Sequence, residues 1–414
     1  MNQESRIGVR LTEMVGLSTG TVSTSLYTGA RQFELERDRI FGRAWLKVGR
    51  VEQIPEAGDF FVKEIAIREA SVIVTRARGG MVRALHNTCS HRGNQVVLAT
   101  EGRASRFTCR YHSWTYRNSG ELIGVPDESG FFDLDKKKCG LTPIACDVWD
   151  GWIFINFQPA PEVGLKEFLG PFGEALAGIP YPHADHCMVM RGLINANWKT
   201  VGDNFSEPYH IASIHPNTLA PVYAGGANPG ARPVSANLHG AHRAIGTWLN
   251  TDFKPSAGAR VAGWLYPVAQ TMTGTRQEGQ ANELSDHPFV NPANSPEWAS
   301  DVNWVFPNWH LQISENRFWT HEFWPVTADQ TMWEGRFYQP RPTNLRERLQ
   351  LEHFCSMIAD TFLEDLANIE STQRGMRSGA KSVLHLHEAE ILIRHSLGQV
   401  EKWVQATTVA EALA

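Results

Sequence analysis

The sequence predicts an α+β protein in which a small all-β module precedes a larger domain of mixed helices and strands. From about Trp45 to Phe157, short apolar strands are separated by Gly, Pro and Asp, which is typical of an all-β module. After Pro159-Ala160-Pro161, helical and strand patterns are mixed, which indicates an α+β domain. A length of 414 residues is comfortable for two domains.

Three segments are therefore expected. Residues 1–44 form an N-terminal segment that packs on the second domain, residues 45–158 form the all-β module, and residues 159–414 form the second domain. Within the first segment, residues 30–44 have the apolar spacing of a short amphipathic helix, and the first ~20 residues are the best candidates for disorder. Residues 225–300 are rich in Gly, Pro, Ala and Asn, which predicts long loops with short strands.

Composition excludes several classes of protein. A formal net charge of −5 gives no basic field for nucleic acid or anionic lipid. No run approaches the ~18 apolar residues of a membrane span, and the first residues lack the order of a signal peptide. The six cysteines have no compact framework spacing, so we expect a reducing, cytoplasmic compartment.

Two Cys-x(n)-His pairs lie within the all-β module, each after a predicted strand. One residue separates Cys89 from His91, and two separate Cys109 from His112. Two thiolates and two imidazoles suit either tetrahedral zinc or a [2Fe–2S] cluster with mixed ligation. Each pair sits where a strand would turn, so two loop tips are expected to close on one metal group from two sides.

The pattern Cys-x-His-Arg-Gly…Cys-x-Tyr-His-x-Trp-x-Tyr resembles the Rieske domain, in which one iron takes both cysteines and the other both histidines. The His-x(3–5)-His spacing of zinc fingers is absent, which favours the cluster over zinc. Arg110 and Ser113 stand where the Rieske family most often has Pro and Gly, which changes loop stiffness but no ligand. The other cysteines are expected to be thiols outside the site: Cys139, Cys146, Cys187 and Cys355.

A second constellation lies in the α+β domain. A helix that starts near Trp198 is expected to carry Glu207 and His210 one turn apart, and Pro216 is expected to end it at His215. Residues five apart on a regular helix are separated by about 140°, so His215 must leave the helix to approach His210. Two histidines with one carboxylate make the facial triad of non-haem Fe(II), with open positions for O2. The alternative is a hydrogen-bonded histidine pair without metal.

The third ligand is expected to be a carboxylate downstream. Thr361 and Glu364 have the spacing of a capping box, which would occupy Glu364 at its own helix terminus. That leaves Asp365, in the first turns of this helix, free to point into a site. Asp360 and Glu370 remain alternatives.

Together these motifs resemble the terminal oxygenase (α) subunit of Rieske non-haem iron oxygenases, also called ring-hydroxylating oxygenases. The resemblance spans roughly residues 30–380. It implies a catalytic domain with a helix-grip-like α+β fold, an antiparallel sheet flanked by helices. Successive strands of that sheet are expected within 303–313, 317–324 and 331–338.

The resemblance also implies roles for the site residues. His210, His215 and Asp365 would bind mononuclear iron, and Glu207 takes the place of the acidic residue that links cluster and iron across a subunit boundary. That residue accepts hydrogen bonds from an iron-ligand histidine and from the cluster ligand of the neighbouring chain, here His112. Most ring-hydroxylating members have Asp there, and Glu is familiar from some amine-oxidising members. The family assembles head to tail, so a homotrimer, or an α3β3 assembly, is expected.

The implied activity is O2-dependent mono- or dihydroxylation of an aromatic or apolar substrate, as in aromatic hydrocarbon catabolism. Neither Gly79-Gly80 nor Gly225-Gly226 belongs to a dinucleotide fingerprint, so electrons from NAD(P)H must arrive through a separate reductase, with or without a ferredoxin. Many Trp and Phe residues without a cluster of Arg favour an apolar substrate pocket.

Three alternatives stay open. Oxidative N- or O-demethylation is favoured only by Glu207. A Rieske-type electron carrier needs only ~100 residues and would leave the chain after residue 160 unexplained. An inactive scaffold would keep the cluster without oxygenase chemistry. The number of irons per chain distinguishes an oxygenase, with three, from a carrier, with two.

Overall fold

The chain forms two compact units. The structure, a computed structural model, describes residues 11–252, 284–315 and 317–414. The smaller unit comprises Leu35–Phe168 and Ala406–Glu411, and the larger unit comprises Met1–Glu34, Leu169–Gln405 and Ala412–Ala414.

Helices of the described residues fall mainly in the larger unit. The α-helices are α1 (Leu11–Met14), α2 (Ser25–Thr28), α3 (Ala30–Arg39), α4 (Leu165–Leu176), α5 (Trp198–Asn204), α6 (Ile211–Ile214), α7 (Ala220–Tyr223), α8 (Leu345–Arg377), α9 (Ile391–Gln405) and α10 (Val409–Leu413). Short 3-10 helices span Val51–Gln53, Ala66–Arg68, Glu128–Gly130 and Lys136–Lys138. None of these helices combines the length and the apolar composition that crossing a bilayer requires.

The smaller unit is built from two antiparallel sheets. Its strands are β2 (Leu46–Arg50), β3 (Asp59–Ile65), β4 (Ala70–Arg76), β5 (Val82–His86), β6 (Glu101–Arg103), β7 (Arg106–Thr108), β8 (Thr115–Arg117), β9 (Leu122–Gly124), β10 (Pro143–Trp149) and β11 (Trp152–Asn156). One sheet has the order β2-β11-β10-β5-β4-β3-β6, and the other has the order β7-β8-β9. This confirms the predicted all-β module.

A single apolar cluster holds the two sheets of the smaller unit together around its cysteines. Ile73 and Leu85 come from the large sheet, and Phe107 and Tyr116 from the small one. Phe60 and Phe107 meet edge to face, with ring centroids 5.2 Å apart. Cys89 and Cys109 belong to the same cluster, so packing of the sheets fixes the loops that carry them.

The larger unit contains one extended antiparallel sheet, which confirms the predicted α+β class. Its strands are β12 (Cys187–Ile194), β13 (Ser235–His239), β14 (His242–Trp248), β15 (Trp298–Val305), β16 (Trp309–Ser314), β17 (Phe318–Thr327) and β18 (Gln330–Tyr338), in the order β12-β18-β17-β16-β15-β14-β13. The short strands β1 (Val22–Ser23) and β19 (Val383–Leu384) pair with each other.

One predicted strand of this sheet is wrong in its bounds. Residues 303–313, expected as one strand, belong to β15 and β16, which turn between Val305 and Trp309 and pair antiparallel. Pro307 lies in that turn, and proline cannot donate to a ladder in the middle of a sheet. Of the loops expected at 225–300, residues 253–283 lie outside the described residues, as do residues 1–10 of the predicted disordered start.

The long helix α8 covers one face of the sheet. Phe354, Ile358 and Phe362 of α8 pack against a cluster of strand aromatics that includes Trp333 and Phe337. The Phe362 and Trp333 rings are 4.7 Å apart. Helix α5 joins the same cluster through Val201, so α5 and α8 meet over the sheet. His210 and His215 follow α5, and the acidic candidates lie on α8. Because α5 and α8 pack into the same core, these candidates come from neighbouring parts of the fold.

Candidate metal centres

The first cysteine loop of the smaller unit is closed by backbone hydrogen bonds on both sides of Cys89. The Cys89 N–H donates to the carbonyl of Asn94 (2.8 Å), and the Gly93 N–H donates to the carbonyl of Cys89 (2.9 Å). Gly93 has a φ of 74°, a left-handed conformation that glycine adopts without steric cost. The loop therefore presents Cys89 and His91 from a tight, backbone-fixed tip.

The second loop repeats this pattern. The Cys109 N–H donates to the carbonyl of Trp114 (2.9 Å), and the Ser113 N–H donates to the carbonyl of Cys109 (2.9 Å). Ser113 occupies the place of Gly93 and has a φ of 58°. The departure from glycine noted in the sequence therefore leaves the loop geometry intact, at the cost of a left-handed serine.

The two loops bring the four predicted cluster residues together. The rings of His91 and His112 lie 4.5 Å apart, and Cys89 and Cys109 are both buried. Trp114 stacks on His91 at 5.1 Å. The buried Nδ1 of His91 has no hydrogen-bond partner among the described residues, as expected for a nitrogen reserved for a metal.

Hydrogen-bond donors surround the two sulfur atoms. Tyr116 Oη lies 3.2 Å from Cys89 Sγ, and Asn94 Nδ2 lies 3.7 Å from Cys109 Sγ. Burial acts to raise the pKa of Cys109, but hydrogen bonds from the Tyr111 backbone and the Asn94 side chain outweigh it and lower this pKa. Cys109 is thus placed to act as a thiolate, the form that ligates iron.

In the larger unit, the segment with Glu207 and His210 is not one helix, contrary to prediction. Helix α5 ends at Asn204 and α6 begins at Ile211. Pro208 explains the break, because a residue before proline avoids the helical conformation and proline has no N–H. Glu207 instead folds back on the start of α6: its carboxylate accepts from the Tyr209 backbone N–H, and its Oε1 lies 2.5 Å from His210 Nδ1.

The predicted approach of the two histidines is present. Helix α6 ends at Ile214, and His215 follows it as the C-cap before Pro216. The rings of His210 and His215 lie 5.3 Å apart at 64°. The end of the helix therefore brings together two side chains that a regular helix would hold apart.

Asp365 of α8 faces both imidazoles. Its Oδ1 lies 2.9 Å from His215 Nε2 and 3.6 Å from His210 Nε2. His215 Nε2 and Asp365 Oδ1 are both buried, and by hydrogen-bond geometry neither has a partner among the described residues. Ligand atoms of the three side chains lie within 4.8 Å of one another, a donor set that fits mononuclear iron.

The other two acids considered from the sequence lie elsewhere. Asp360 is exposed on α8. Glu370 accepts hydrogen bonds from the backbone and side chain of Asn195, both at 3.0 Å. Among the acids proposed, the structure therefore brings Asp365 to the histidines.

The capping box predicted for Thr361 and Glu364 is wrong. Helix α8 begins sixteen residues earlier, where the Asn344 side chain accepts from the Glu347 N–H. Thr361 lies inside the helix and donates to the carbonyl of Met357. Glu364 is therefore free for another role, which sequence analysis missed.

Glu364 binds the far side of His215. Its Oε2 lies 2.6 Å from His215 Nδ1 and also accepts from Thr218 Oγ1 at 2.6 Å. Burial by itself lowers the pKa of His215, but Asp365 and Glu364 together raise it. Each histidine thus has a carboxylate on Nδ1, Glu207 for His210 and Glu364 for His215, which leaves Nε2 for a metal. Adjacency to Asp365 was the one signal in the sequence for Glu364.

A cavity that is partly open to solvent adjoins these three side chains. Helices, the sheet and the irregular segment between α5 and α6 all supply parts of its wall. Five aromatic side chains of the described residues line it, and Trp319 and Phe337 among them come from strands of the sheet and also belong to its core cluster: Phe205, Tyr223, Trp319, Phe337 and Phe362.

Comparison with known proteins agrees with both sites. Residues 44–138 match the family model "Rieske [2Fe-2S] domain", and residues 174–406 match "Ring hydroxylating alpha subunit (catalytic domain)". Together these domains imply a Rieske cluster and a mononuclear iron that works with O2. The residues in both sites are of the types that ligate these groups. In addition, His91 Nδ1 and His215 Nε2 are buried without a hydrogen-bond partner among the described residues, as expected for nitrogens that bind a metal.

Individual relatives differ in how much of their length is matched. The N,N-dimethyl phenylurea N-demethylase subunit alpha of Sphingobium sp. (strain YBL2) is 35% identical over 48% of this chain and 45% of its own length. The chain spans about half the length of the first curated relatives it matches. The anthranilate 1,2-dioxygenase large subunit of Burkholderia cepacia is 32% identical over 95% of this chain and 90% of its own.

Solved structures share the fold. Naphthalene 1,2-dioxygenase from Rhodococcus sp. superposes with a TM-score of 0.72 at 22% identity, over 98% of both chains. A quaternary ammonium Rieske monooxygenase superposes with a TM-score of 0.73 at 19% identity, over 93% of this chain and 95% of that one. With both domain models matched and a relative aligned over almost its full length, the chain belongs to the family of Rieske-type ring-hydroxylating oxygenase alpha subunits.

Proposed function

We propose that this chain is the terminal oxygenase component of a multicomponent Rieske system, which uses O2 and electrons from a separate reductase to oxidise an organic substrate. The observation that carries the proposal is the convergence of His210, His215 and Asp365 beside a largely apolar cavity. An electron carrier without oxygenase chemistry has no use for this second site.

Roles for the individual residues follow from their surroundings. Cys89, His91, Cys109 and His112, in the domain assigned to residues 45–158, would hold the cluster. His210, His215 and Asp365, in the domain assigned to residues 159–414, would hold the iron. When bound, the cluster relays single electrons and the iron activates O2. Glu207 and Glu364 contact Nδ1 of His210 and His215 and hold both rings in place.

Glu207 is proposed to carry electrons between subunits. One carboxylate oxygen already contacts His210, and its side chain is 10% exposed. The arrangement supports a homotrimer, or an α3β3 complex, in which His112 of one chain reaches Glu207 of the next. Such assembly would couple reduction of the iron to the neighbouring cluster.

The proposed substrate is a small aromatic or otherwise apolar compound, and the proposed role is in aromatic hydrocarbon catabolism. The aromatic lining of the cavity supports this class, as do relatives named for biphenyl and anthranilate oxidation. NAD(P)H would supply electrons through a reductase and, where present, a ferredoxin. All six cysteines lie in the described residues and are free of disulfides, which supports a cytoplasmic location.

Oxidative N- or O-demethylation is the second candidate. Glu207 in place of the more usual Asp favours it, and so does the relative named for phenylurea N-demethylation. Turnover of a substrate panel with a surrogate reductase distinguishes the two activities by mass spectrometry. Products gain one or two oxygen atoms in hydroxylation and lose a methyl group in demethylation.

Replacement of His210 by Ala tests the proposal directly. Wild type is expected to contain three irons and two acid-labile sulfides per chain. The variant should retain two irons and the visible cluster spectrum but lose turnover, because one of three iron ligands is gone. His385→Ala, at an exposed histidine, is the matched control and should retain three irons. Oxygenation by His210→Ala, or zinc as the metal in wild type, would refute the proposal.

A further inference from the structure

One wall of the cavity in the larger unit is a patch of the sheet. Ile245, Val302, Gln312, Trp319 and Phe337 lie directly opposite one another on five neighbouring strands and all line the cavity. Four of these five side chains are apolar, so a polar side chain in the adjoining row is an exception on this wall. The adjoining row contains two histidines.

His310 and His321 are opposite each other in this second row and also line the cavity. Their rings are 5.0 Å apart. His321 already has a protein partner, because its Nδ1 accepts a hydrogen bond from Trp333 Nε1 at 3.2 Å. His310 is 1% exposed, and neither of its ring nitrogens has a hydrogen-bond partner among the described residues.

Other polar groups of the sheet wall are already paired within the protein. Thr247 Oγ1 lies 2.8 Å from Ser300 Oγ, and Gln312 Nε2 donates to the same Ser300 Oγ at 2.9 Å. An unpaired polar atom in a buried site is unfavourable, so each such group in a native protein calls for a partner. Because His310 lines the cavity, a molecule bound there can supply that partner.

His310 offers one donor and one acceptor. Burial lowers its pKa to about 3, and the positive charge of Arg243 acts in the same direction. The imidazole is therefore neutral at physiological pH, with one N–H and one free lone pair. No Lys or Arg lines the described part of the cavity, so nothing there favours a strongly anionic group.

We propose that His310 is the hydrogen-bonding anchor of the substrate cavity, and that the substrate is an aromatic molecule that carries an uncharged hydrogen-bonding substituent, such as an amide or a carbonyl. The inference rests on the proposed function, because it takes the cavity to be the substrate site. It narrows the substrate class: a bare hydrocarbon would fill the apolar wall but leave both nitrogens of His310 unpaired.

Three probes of the same shape test this proposal: benzamide, acetophenone and α-methylstyrene. All carry a phenyl ring and a planar three-atom substituent, but benzamide both donates and accepts, acetophenone only accepts, and α-methylstyrene does neither. Their affinities for anaerobic, iron-replete protein are measured by calorimetry. In His310→Leu we expect benzamide to bind about 10- to 100-fold more weakly, acetophenone to lose less, and α-methylstyrene to bind as well or better.

Stability of the ligand-free protein gives a second readout. Leu removes two unpaired buried polar atoms, so the thermal midpoint of His310→Leu should equal or exceed that of wild type. A histidine with a structural role would lower it. The control is His395→Leu, a buried histidine outside the cavity lining whose Nε2 binds the Gly240 carbonyl at 2.9 Å. This control should lose stability and leave the benzamide to α-methylstyrene ratio unchanged.

The outcomes separate this inference from the proposed function. If iron content is three per chain and His310→Leu changes the affinities for all three probes equally, or no probe binds, the role of His310 is wrong. If wild type lacks the third iron, the proposed function itself fails. A retained preference for benzamide in His310→Leu would also overturn the inference.

Discussion

Glu364 is placed to fix the tautomer and the orientation of one proposed iron ligand, His215. It contacts His215 Nδ1 and Thr218 Oγ1, each at 2.6 Å, while His215 itself is fully buried. A buried imidazole without this contact would be free to change its tautomer or rotate away from Asp365. Carboxylates in this position typically orient the ring and raise its basicity as a ligand.

Glu364→Gln is therefore expected to lower the affinity for the mononuclear iron by about 10- to 100-fold, the usual effect of losing such a partner. Iron retained after dialysis against a graded chelator series measures it. Glu370→Gln lies six residues further along α8 and affects contacts with Asn195 and Arg374 but none with the iron-ligand candidates, so it should retain iron like wild type. Equal iron loss in both variants would contradict the role of Glu364.

Another carboxylate, Asp203, ties the N-terminal segment to helix α5. Tyr27 Oη donates to Asp203 Oδ2 at 2.6 Å. Burial raises the pKa of Asp203 to about 7, although the hydrogen bond from Tyr27 and the charges of Arg243 and Lys199 act to lower it. The folded state therefore holds a proton on Asp203 that the unfolded chain releases near pH 4, so stability falls as the pH rises from about 4 to 7.

Tyr27→Phe should make this pH dependence steeper at high pH. Without the phenol donor, the pKa of Asp203 in the folded state rises further, so the loss of stability continues above pH 7. We expect the free energy of unfolding to drop by about 1 kcal/mol at pH 5 and by about 2 kcal/mol at pH 8. Urea denaturation followed by fluorescence at the two pH values measures both.

A double variant provides the control for this effect. In an Asp203→Asn background the titrating group is gone, so Tyr27→Phe should cost the same at pH 5 and pH 8. A cost that remained larger at pH 8 in this background would show that another group is responsible.

At the scale of elements, close packing of α5 on the sheet determines where the segment with His210 and His215 begins. Gly202 of α5 lies over Trp304, and a Cβ built at Gly202 would come 2.7 Å from Trp304 Cη2. Trp304 is buried and belongs to the main core cluster, so it has no room to retreat. Glycine here permits close packing, although glycine inside a helix is intrinsically unfavourable.

Gly202→Ala should therefore destabilise the protein and lower its iron content. Helix propensity alone would favour alanine by about 1 kcal/mol. A decrease in the free energy of unfolding would therefore show that the clash with Trp304 outweighs it. Gly375→Ala in α8 is the matched control, because nothing lies within 4 Å of the added carbon. It should raise the free energy of unfolding by about 0.5–1 kcal/mol. A stabilising Gly202→Ala would contradict the proposed packing constraint.

The elements of the all-β module and the sheet were largely predictable, because apolar alternation and turn residues act locally. Strands β3 and β4, for example, lie within the stretch from Trp45 to Phe157 for which short strands were predicted. Helix α8 was not predicted from its start, because its exposed N-terminal turns have little apolar periodicity. The Thr361–Glu364 pair therefore looked like a beginning when it lies mid-helix. Local motifs cannot tell how far a helix extends before them.

At the scale of the whole molecule, the proposed trimer makes each site depend on its neighbour. If electrons pass from the cluster of one chain to the iron of the next, a chain without a cluster and a chain without iron can complement each other. Cys109→Ser removes a cluster ligand and His210→Ala removes an iron ligand. Each variant alone is expected to be inactive.

Co-assembly of the two variants should restore activity. In a closed ring assembled at random from equal amounts, about a quarter of the sites join a working cluster to a working iron across an interface, so about a quarter of wild-type turnover is expected. Reductase-coupled turnover of the purified mixed assemblies measures it. Mixing the two variants after assembly, without subunit exchange, is the control and should give none. Inactive mixed trimers, or an active wild-type monomer, would contradict transfer between chains.

The sequence alone determined the class of fold, the family and most of the candidate ligands. Cys89, His91, Cys109 and His112 sit in short motifs whose spacing is set by two tight loops, so local chain geometry is enough to recognise them. His210 and His215 were predictable for the same reason, because Pro216 ends the helix between them and allows their rings to approach.

Tertiary structure decided the choices that depend on distant parts of the chain. Asp365 is separated from His215 by 150 residues of sequence and meets it only because α8 and α5 pack on the same face of the sheet. The same packing gives Glu364 its role beside His215 and leaves His310 unpaired in the cavity wall. Burial and hydrogen-bond partners are properties of the assembled core, and no local pattern in the sequence encodes them.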